Sequence, residues 1–135
     1  MNFSELGLKT EILKALTDMG YQDLTPIQEK TFSPILRGRD LLARAETGSG
    51  KTAACGIPLV QMIDPSLNAI QALILVPTRE LALQYVEEIA NIARYTEVIP
   101  FFTKSGDTDL VKDQPSAGCF LSISLDYAQQ MAFSL

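Results

Sequence analysis

The run Ala45-Glu46-Thr47-Gly48-Ser49-Gly50-Lys51-Thr52 constrains the fold of this chain more than any other stretch. Two glycines two positions apart free the backbone to turn so that successive N–H groups face one point, the geometry that cradles an anion. Lysine directly after the second glycine has no turn-making purpose. It supplies a mobile positive charge for β- and γ-phosphates, and the threonine after it offers a hydroxyl to Mg²⁺. Such a loop works at a strand-to-helix junction, where the helix adds its orphan N–H groups and the positive end of its dipole. Apolar Leu41-Leu42-Ala43 precedes the run and Ala53-Ala54-Cys55-Gly56-Ile57 follows it. A short buried strand over 40–43 and a helix from Lys51 to about Met62 are therefore expected. Ala45 stands where the usual pattern has a glycine, and an ordinary Gly-rich turn is the alternative reading.

The flanking segments repeat this alternation. Leu6, Leu8, Ile12, Leu13, Leu16 and Met19 recur at helical spacing, with Gly20 as the stop. Thr25 is placed to cap a second helix with Pro26 in its first turn, running through Ile27, Thr31, Ile35 and Leu36 toward Gly38. Asp64-Pro65-Ser66 reads as a turn. Ala72-Leu73-Ile74-Leu75-Val76 is a continuous apolar run, as a central parallel strand requires. Thr78 can cap a further helix whose face carries Leu81, Ala82, Tyr85, Val86, Ile89 and Ile92. The stretches 98–102 and 120–125 are further strand candidates. Strands alternating with helices indicate an α/β domain, a parallel sheet with helices on both faces.

At 135 residues the chain suits one domain with one core. It contains no apolar run near the ~20 residues that span a membrane and no signal-peptide pattern at its start, so the cytoplasm is the default location. Histidine is absent, so no imidazole serves as base or metal ligand. Cys55 and Cys119 form no metal pattern and read as small apolar residues. Residues 1–60 carry seven basic and seven acidic groups, and residues 61–135 carry four and nine, so the whole net charge of −5 lies in the second part. A polybasic nucleic-acid binder is excluded, and any RNA contact must come from a local patch.

Three more features converge. Thr25-Pro26-Ile27-Gln28 lies shortly before the loop, preceded by Gly20-Tyr21, and Phe3 stands 17 positions before Gly20. Pro77-Thr78-Arg79-Glu80-Leu81-Ala82 directly follows the apolar strand, and Gly38-Arg39-Asp40 precedes the first. With the phosphate loop, these make residues 3–93 resemble the first half of the N-terminal RecA-like domain of a DEAD-box RNA helicase. The resemblance implies a partial RecA-like P-loop domain. Residues 1–40 would be the adenine-recognition (Q motif) region and 41–135 an incomplete ATP-binding domain, with the second RecA-like domain absent. It implies ATP and Mg²⁺ as cofactors. Gln28 would read adenine through an amide that both donates and accepts, and Phe3 would stack on the base. The alternatives are a solvated helix residue at 28 and a core anchor at 3. Ala45, Thr47, Gly48, Ser49 and Gly50 would surround the phosphates. Lys51 would carry the transition-state charge, and Thr52 would hold the metal. Pro77, Thr78, Arg79 and Glu80 would contact the RNA backbone without reading sequence, through a helix N-terminus and a cation; a plain capped helix start is the alternative.

The resemblance fades after Ala93. Lys104-Ser105-Gly106 offers one glycine where the family has two, and nothing near 125–128 matches the family's next RNA contact. Leu125-Asp126-Tyr127-Ala128-Gln129 resembles the family's Leu-Asp-Glu-Ala-Asp run, with Asp126 as the Mg²⁺-associated carboxylate. Tyr127 then stands where a glutamate orients the attacking water, and a phenol with pKa about 10 is a poor base near neutrality. Without an intact DEAD motif or an arginine finger, hydrolysis and unwinding are not expected of this chain alone. The reading is an ATP-binding helicase fragment with a helicase or ribonucleoprotein as possible partner and no sign of an oligomer. A non-enzymatic RNA-binding module, a small P-loop kinase and a non-functional remnant are the alternatives.

Overall fold

The computed structural model describes residues 1–46, 48, 50–67, 69–103 and 119–124, with 101–103 and 119–124 as backbone. The chain divides into two compact units, Met1–Met62 with Asn91–Thr96, and Ile63–Ala90 with Glu97–Leu135.

The first unit is helical. A 3-10 turn, Phe3–Leu6, is capped by Asn2, whose side chain accepts the Ser4 N–H at 3.0 Å. Gly7 then takes φ +70°, which ends the turn, and α1 spans Thr10–Asp18. The single helix expected between Leu6 and Met19 is thus two elements, because the chain reverses at Gly7 before the apolar stripe of α1 begins. Gly20, at φ +77°, terminates α1 as expected. Helix α2, Pro26–Leu36, starts behind Thr25 with Pro26 in its first turn. Helix α3 spans Lys51–Met62, begins at the lysine of the phosphate loop and packs on α2 and α1. Ile12, Leu16, Phe32, Ile57 and Val60 are buried and form the core of this unit.

The strand expected over 40–43 is not formed. Residues 40–46 carry no regular structure, and Leu42 is fully exposed with Leu41 44% exposed. A strand is defined by its pairing, and among the described residues this segment has no ladder partner.

The second unit carries a parallel sheet. Strands β1 (Ile70–Val76), β2 (Ile99–Thr103) and β3 (Cys119–Ser124) lie in the order β1-β3-β2. The register pairs Leu73 with Leu121 and Leu75 with Ile123 on one side, and Phe101 with Leu121 on the other. The return from β1 begins with α4, Arg79–Ile92. Thr78 caps it, its Oγ1 accepting the Leu81 N–H at 3.2 Å. Val76, Ala82 and Ile89 are buried in this unit, and the turn at 64–66 is fixed by Asp64 accepting from both the N–H and hydroxyl of Ser66. No helix among the described residues is long and apolar enough to cross a membrane.

Candidate functional site

The first three residues are held against 22–24. Asn2 bridges Asp23, the Phe3 N–H donates to the Gln22 carbonyl at 3.4 Å, and the Leu24 N–H donates to the Met1 carbonyl at 3.0 Å. This pairing brings Phe3 beside the start of α2. The Phe3 ring is 3% exposed and contacts two others: Tyr21 nearly parallel at 6.3 Å between centroids, and Phe32 tilted at 6.1 Å. Phe3 is therefore a core anchor that also lines a cavity of about 420 Å³. Tyr21, Asp23, Thr25, Gln28 and Gly50 share that cavity with it. The cavity is large enough for a nucleobase and has the composition such sites use, aromatic walls with a few placed polar groups.

Gln28 is buried at 3% exposure, which rules out the solvated helix residue as its role. Its Oε1 accepts the Thr25 N–H at 2.9 Å, and its Nε2 donates to the Gly50 carbonyl at 3.2 Å. A primary amide has two donor hydrogens and two acceptor lone pairs, so one of each remains after these bonds. The remaining pair is what recognition of an adenine edge requires.

Gly50 has φ +87°, and a Cβ built on it meets Gln28 Nε2 at 2.7 Å and Thr25 Oγ1 at 3.0 Å. The glycine is needed twice, for its conformation and for the closeness of α2. Gly48, at φ +80°, has open space around it. Thr25 Oγ1 is buried with no hydrogen-bond partner among the described residues. Lys51 is exposed and its Nζ donates to the Ala45 carbonyl at 2.8 Å, so the ammonium rests on the loop's own backbone. Thr52 is half-buried in the first turn of α3. Thr47 and Ser49 lie outside the described residues. No cluster of three or more metal-binding side chains occurs among the described residues. A magnesium ion here would be held by Thr52 together with phosphate oxygens and water, the arrangement that ion favours. The glycine conformations, the exposed Lys51 ammonium lying on the loop and the helix start fit a polyphosphate.

Pro77, Thr78, Arg79 and Glu80 are all exposed, at the junction of β1 and α4 in the second unit. Thr78 caps the helix, so the plain structural role expected of it is real; its exposure and that of Arg79 leave room for an anion as well. Asp126 and its neighbours lie outside the described residues.

Tyr21 and Asp23 line the cavity although the sequence alone does not mark them as site residues. The signal for Tyr21 was an aromatic directly after a helix-ending glycine, which alone says nothing about a cavity.

The sequence profile of the DEAD/DEAH box helicase family matches residues 25–118. The chain is 45% identical over 108 residues to the ATP-dependent RNA helicase CshA of Listeria monocytogenes, covering 80% of this chain and 21% of that protein. It is 50% identical over 93 residues to the ATP-dependent RNA helicase DeaD of Escherichia coli, covering 69% of this chain and 15% of that protein. The chain thus spans about a fifth or less of these relatives. Among solved structures, a DEAD box protein from Methanococcus jannaschii superimposes with a TM-score of 0.80 at 35% identity, over 91% of this chain and 34% of that one. S. cerevisiae Dbp5 bound to RNA and ADP BeF3 superimposes with a TM-score of 0.79 at 28% identity, over 98% of this chain and 34% of that one.

Proposed function

The chain belongs to the DEAD/DEAH box helicase family and has its RecA-like fold, and on that premise we propose that its first unit binds ATP with Mg²⁺ while its second unit contacts an RNA backbone. The observation that carries the nucleotide reading is the sharing of one cavity by Gln28 and Gly50. An amide with spare donor and acceptor capacity stands directly beside the phosphate loop, with Phe3 and Tyr21 as aromatic wall.

In this reading Phe3 stacks on the base and Gln28 takes the adenine edge, which favours ATP over GTP. The backbone of Ala45, Thr47, Gly48, Ser49 and Gly50 surrounds the phosphates. Lys51 leaves the Ala45 carbonyl for the β/γ-phosphates, where its charge counters that of the transferring group. Thr52 holds Mg²⁺. The ion supplies neutralising charge and a fixed geometry for the phosphate oxygens. The segment Pro77–Glu80 meets a phosphate of RNA independent of sequence at the N-terminus of α4, with Thr78 and Arg79 as the groups that hold it. Glu80, in that same first turn, opposes an anion and keeps this contact weak. The relatives are ATP-dependent RNA helicases, and one structural neighbour was solved with RNA and an adenine nucleotide; both support the assignment. Hydrolysis and strand separation are not assigned to these 135 residues, and the cytoplasm is the proposed location.

The test is equilibrium binding of ATP with Mg²⁺ to the full chain and to Lys51→Ala. Saturable binding that Lys51→Ala abolishes, with circular dichroism unchanged, is the expected result. Binding that survives the substitution would mean the phosphates sit elsewhere.

A further inference from the structure

A second cavity, of about 470 Å³, opens beside the phosphate loop, where Ala45 and Gly48 of the loop meet residues to which the nucleotide reading gives no role. Pro26, Ile27, Lys30 and Arg44 line it, and Thr25 and Gly48 belong to both cavities. We propose that this cavity is a separate phosphate-binding pocket, with Lys30 and Arg44 as its charged ligands and the first turn of α2 as its floor.

Four observations carry the assignment. Lys30 lies one helical turn after Pro26 and Ile27, so its ammonium is on the face that the helix start presents. Lys30 and Arg44 are both exposed and neither makes an ion pair or side-chain hydrogen bond among the described residues. Among the described residues no carboxylate lines the cavity, although the chain as a whole carries net charge −5. The neighbouring Glu29 is engaged by the Met1 ammonium at 3.1 Å and is not part of the lining.

Backbone and side-chain polarity agree with that charge. In the first turn of α2, an 11-residue helix, Pro26 has no N–H and the Glu29 N–H donates to the Thr25 carbonyl at 3.0 Å. The N–H groups of Ile27 and Gln28 are thus the ones without a helical carbonyl acceptor, and the dipole is positive there. Thr25, which lines both cavities, holds a buried hydroxyl oxygen with no hydrogen-bond partner among the described residues. Two unpaired cations over a helix start recognise a phosphate oxyanion, the guanidinium bidentately and the ammonium as a point charge. The phosphate can be free or part of an RNA strand, since both present the same oxygens.

This inference does not rest on ATP binding. The experiment is a titration of the ¹⁵N-labelled full chain with inorganic phosphate, and separately with a short oligouridylate. Backbone amide shifts are followed in the wild type, Lys51→Ala, and a Lys30→Ala/Arg44→Ala double variant. Saturating shifts at Ile27, Lys30 and Arg44 that persist in Lys51→Ala are expected. The single variants Lys30→Ala and Arg44→Ala should each weaken them roughly tenfold, the scale of one charge-assisted contact, and the double variant should abolish them. Lys30→Arg retains most of the affinity, and Arg44→Lys, which loses the bidentate fork, only part of it. The spectra themselves report whether each variant is folded. If oligouridylate reaches the same amides at lower concentration, the phosphate is that of RNA; if inorganic phosphate alone does so, the pocket takes a free anion. No shifts at these amides, or shifts that vanish in Lys51→Ala, would overturn the proposal, because the phosphate loop alone would then be binding.

Discussion

Gln28 donates from Nε2 to the carbonyl oxygen of Gly50 across 3.2 Å, joining helix α2 to the residue that opens helix α3. The Gln28 amide and the glycine loop before α3 are therefore in direct contact. In Gln28→Ala the Thr25 N–H loses its partner, while the Gly50 carbonyl keeps the Ala54 N–H at 2.9 Å. The cost is about 1–3 kcal/mol for the one group left unsatisfied. A lower melting temperature is expected, together with a loss of ATP affinity well beyond the loss for inorganic tripolyphosphate. Equal losses for the two ligands would mean that Gln28 braces the loop and does not read the base. Calorimetric titration with each ligand separates the cases.

Gly50 and Gly48 should respond differently to the same substitution. Both have positive φ, so alanine costs about 1–2 kcal/mol of backbone strain at either. At 48 nothing lies within 4 Å of the new Cβ, whereas at 50 it meets Gln28 Nε2 at 2.7 Å. Gly50→Ala should melt several degrees below Gly48→Ala, and should lower the melting point less when Gln28 is also alanine. Equal melting points for the two single variants would contradict the close approach of α2 to this residue.

The two glycines show what a sequence reveals and what it conceals. Local chemistry was legible: Thr25-Pro26 starts α2, Lys51 starts α3, and Thr78 caps α4, because each depends on residues within one turn of itself. Ala72–Val76 was legible as a strand because an unbroken apolar run suits a parallel ladder. Its expected central position is not met, since among the described strands β1 lies outside β3, and Leu73 and Leu75 are exposed. The segment 40–43 has the same apolar character and is not a strand, since pairing is a property of the neighbour and not of the segment. The Gln28–Gly50 bond spans 22 positions and depends on how α2 sits on α3, which no spacing rule supplies. For the same reason Tyr21 could not be assigned to the cavity until the pairing of residues 1–3 with 22–24 was seen.

Arg79, exposed at the start of α4, should supply one phosphate contact. Arg79→Ala is expected to weaken binding of single-stranded RNA equally across sequences and to reduce the slope of log affinity against log salt by about one. Fluorescence anisotropy of labelled oligouridylate and oligoadenylate over a salt series measures both. An unchanged slope would remove Arg79 from the RNA contact.

Tyr95 should titrate above its ordinary value of 10.0. Its hydroxyl donates to the Asp18 carboxylate, the largest cause of the shift, followed by desolvation and the negative charge of Asp18, with Arg94 acting in the opposite sense. The folded value exceeds the unfolded one. The stabilisation this bond supplies is thus complete below pH 10.0 and is lost as pH rises through the folded pKa. Lys14, 4.3 Å above the ring, remains in place in Tyr95→Phe, which removes the hydroxyl alone. The tyrosinate absorbance of the wild type minus that of Tyr95→Phe should show a transition above pH 10, and Asp18→Asn should bring it down. A transition at or below the ordinary value would contradict the hydrogen bond.

The most direct test of the nucleotide site is a titration of the full chain with a fluorescent ATP analogue and Mg²⁺, followed by competition with unlabelled ATP and GTP. A cavity formed by Phe3, Gln28 and Gly50 beside Lys51 predicts saturable binding that ATP reverses and GTP does not. Equal displacement by both nucleotides, or no binding at all, would contradict it.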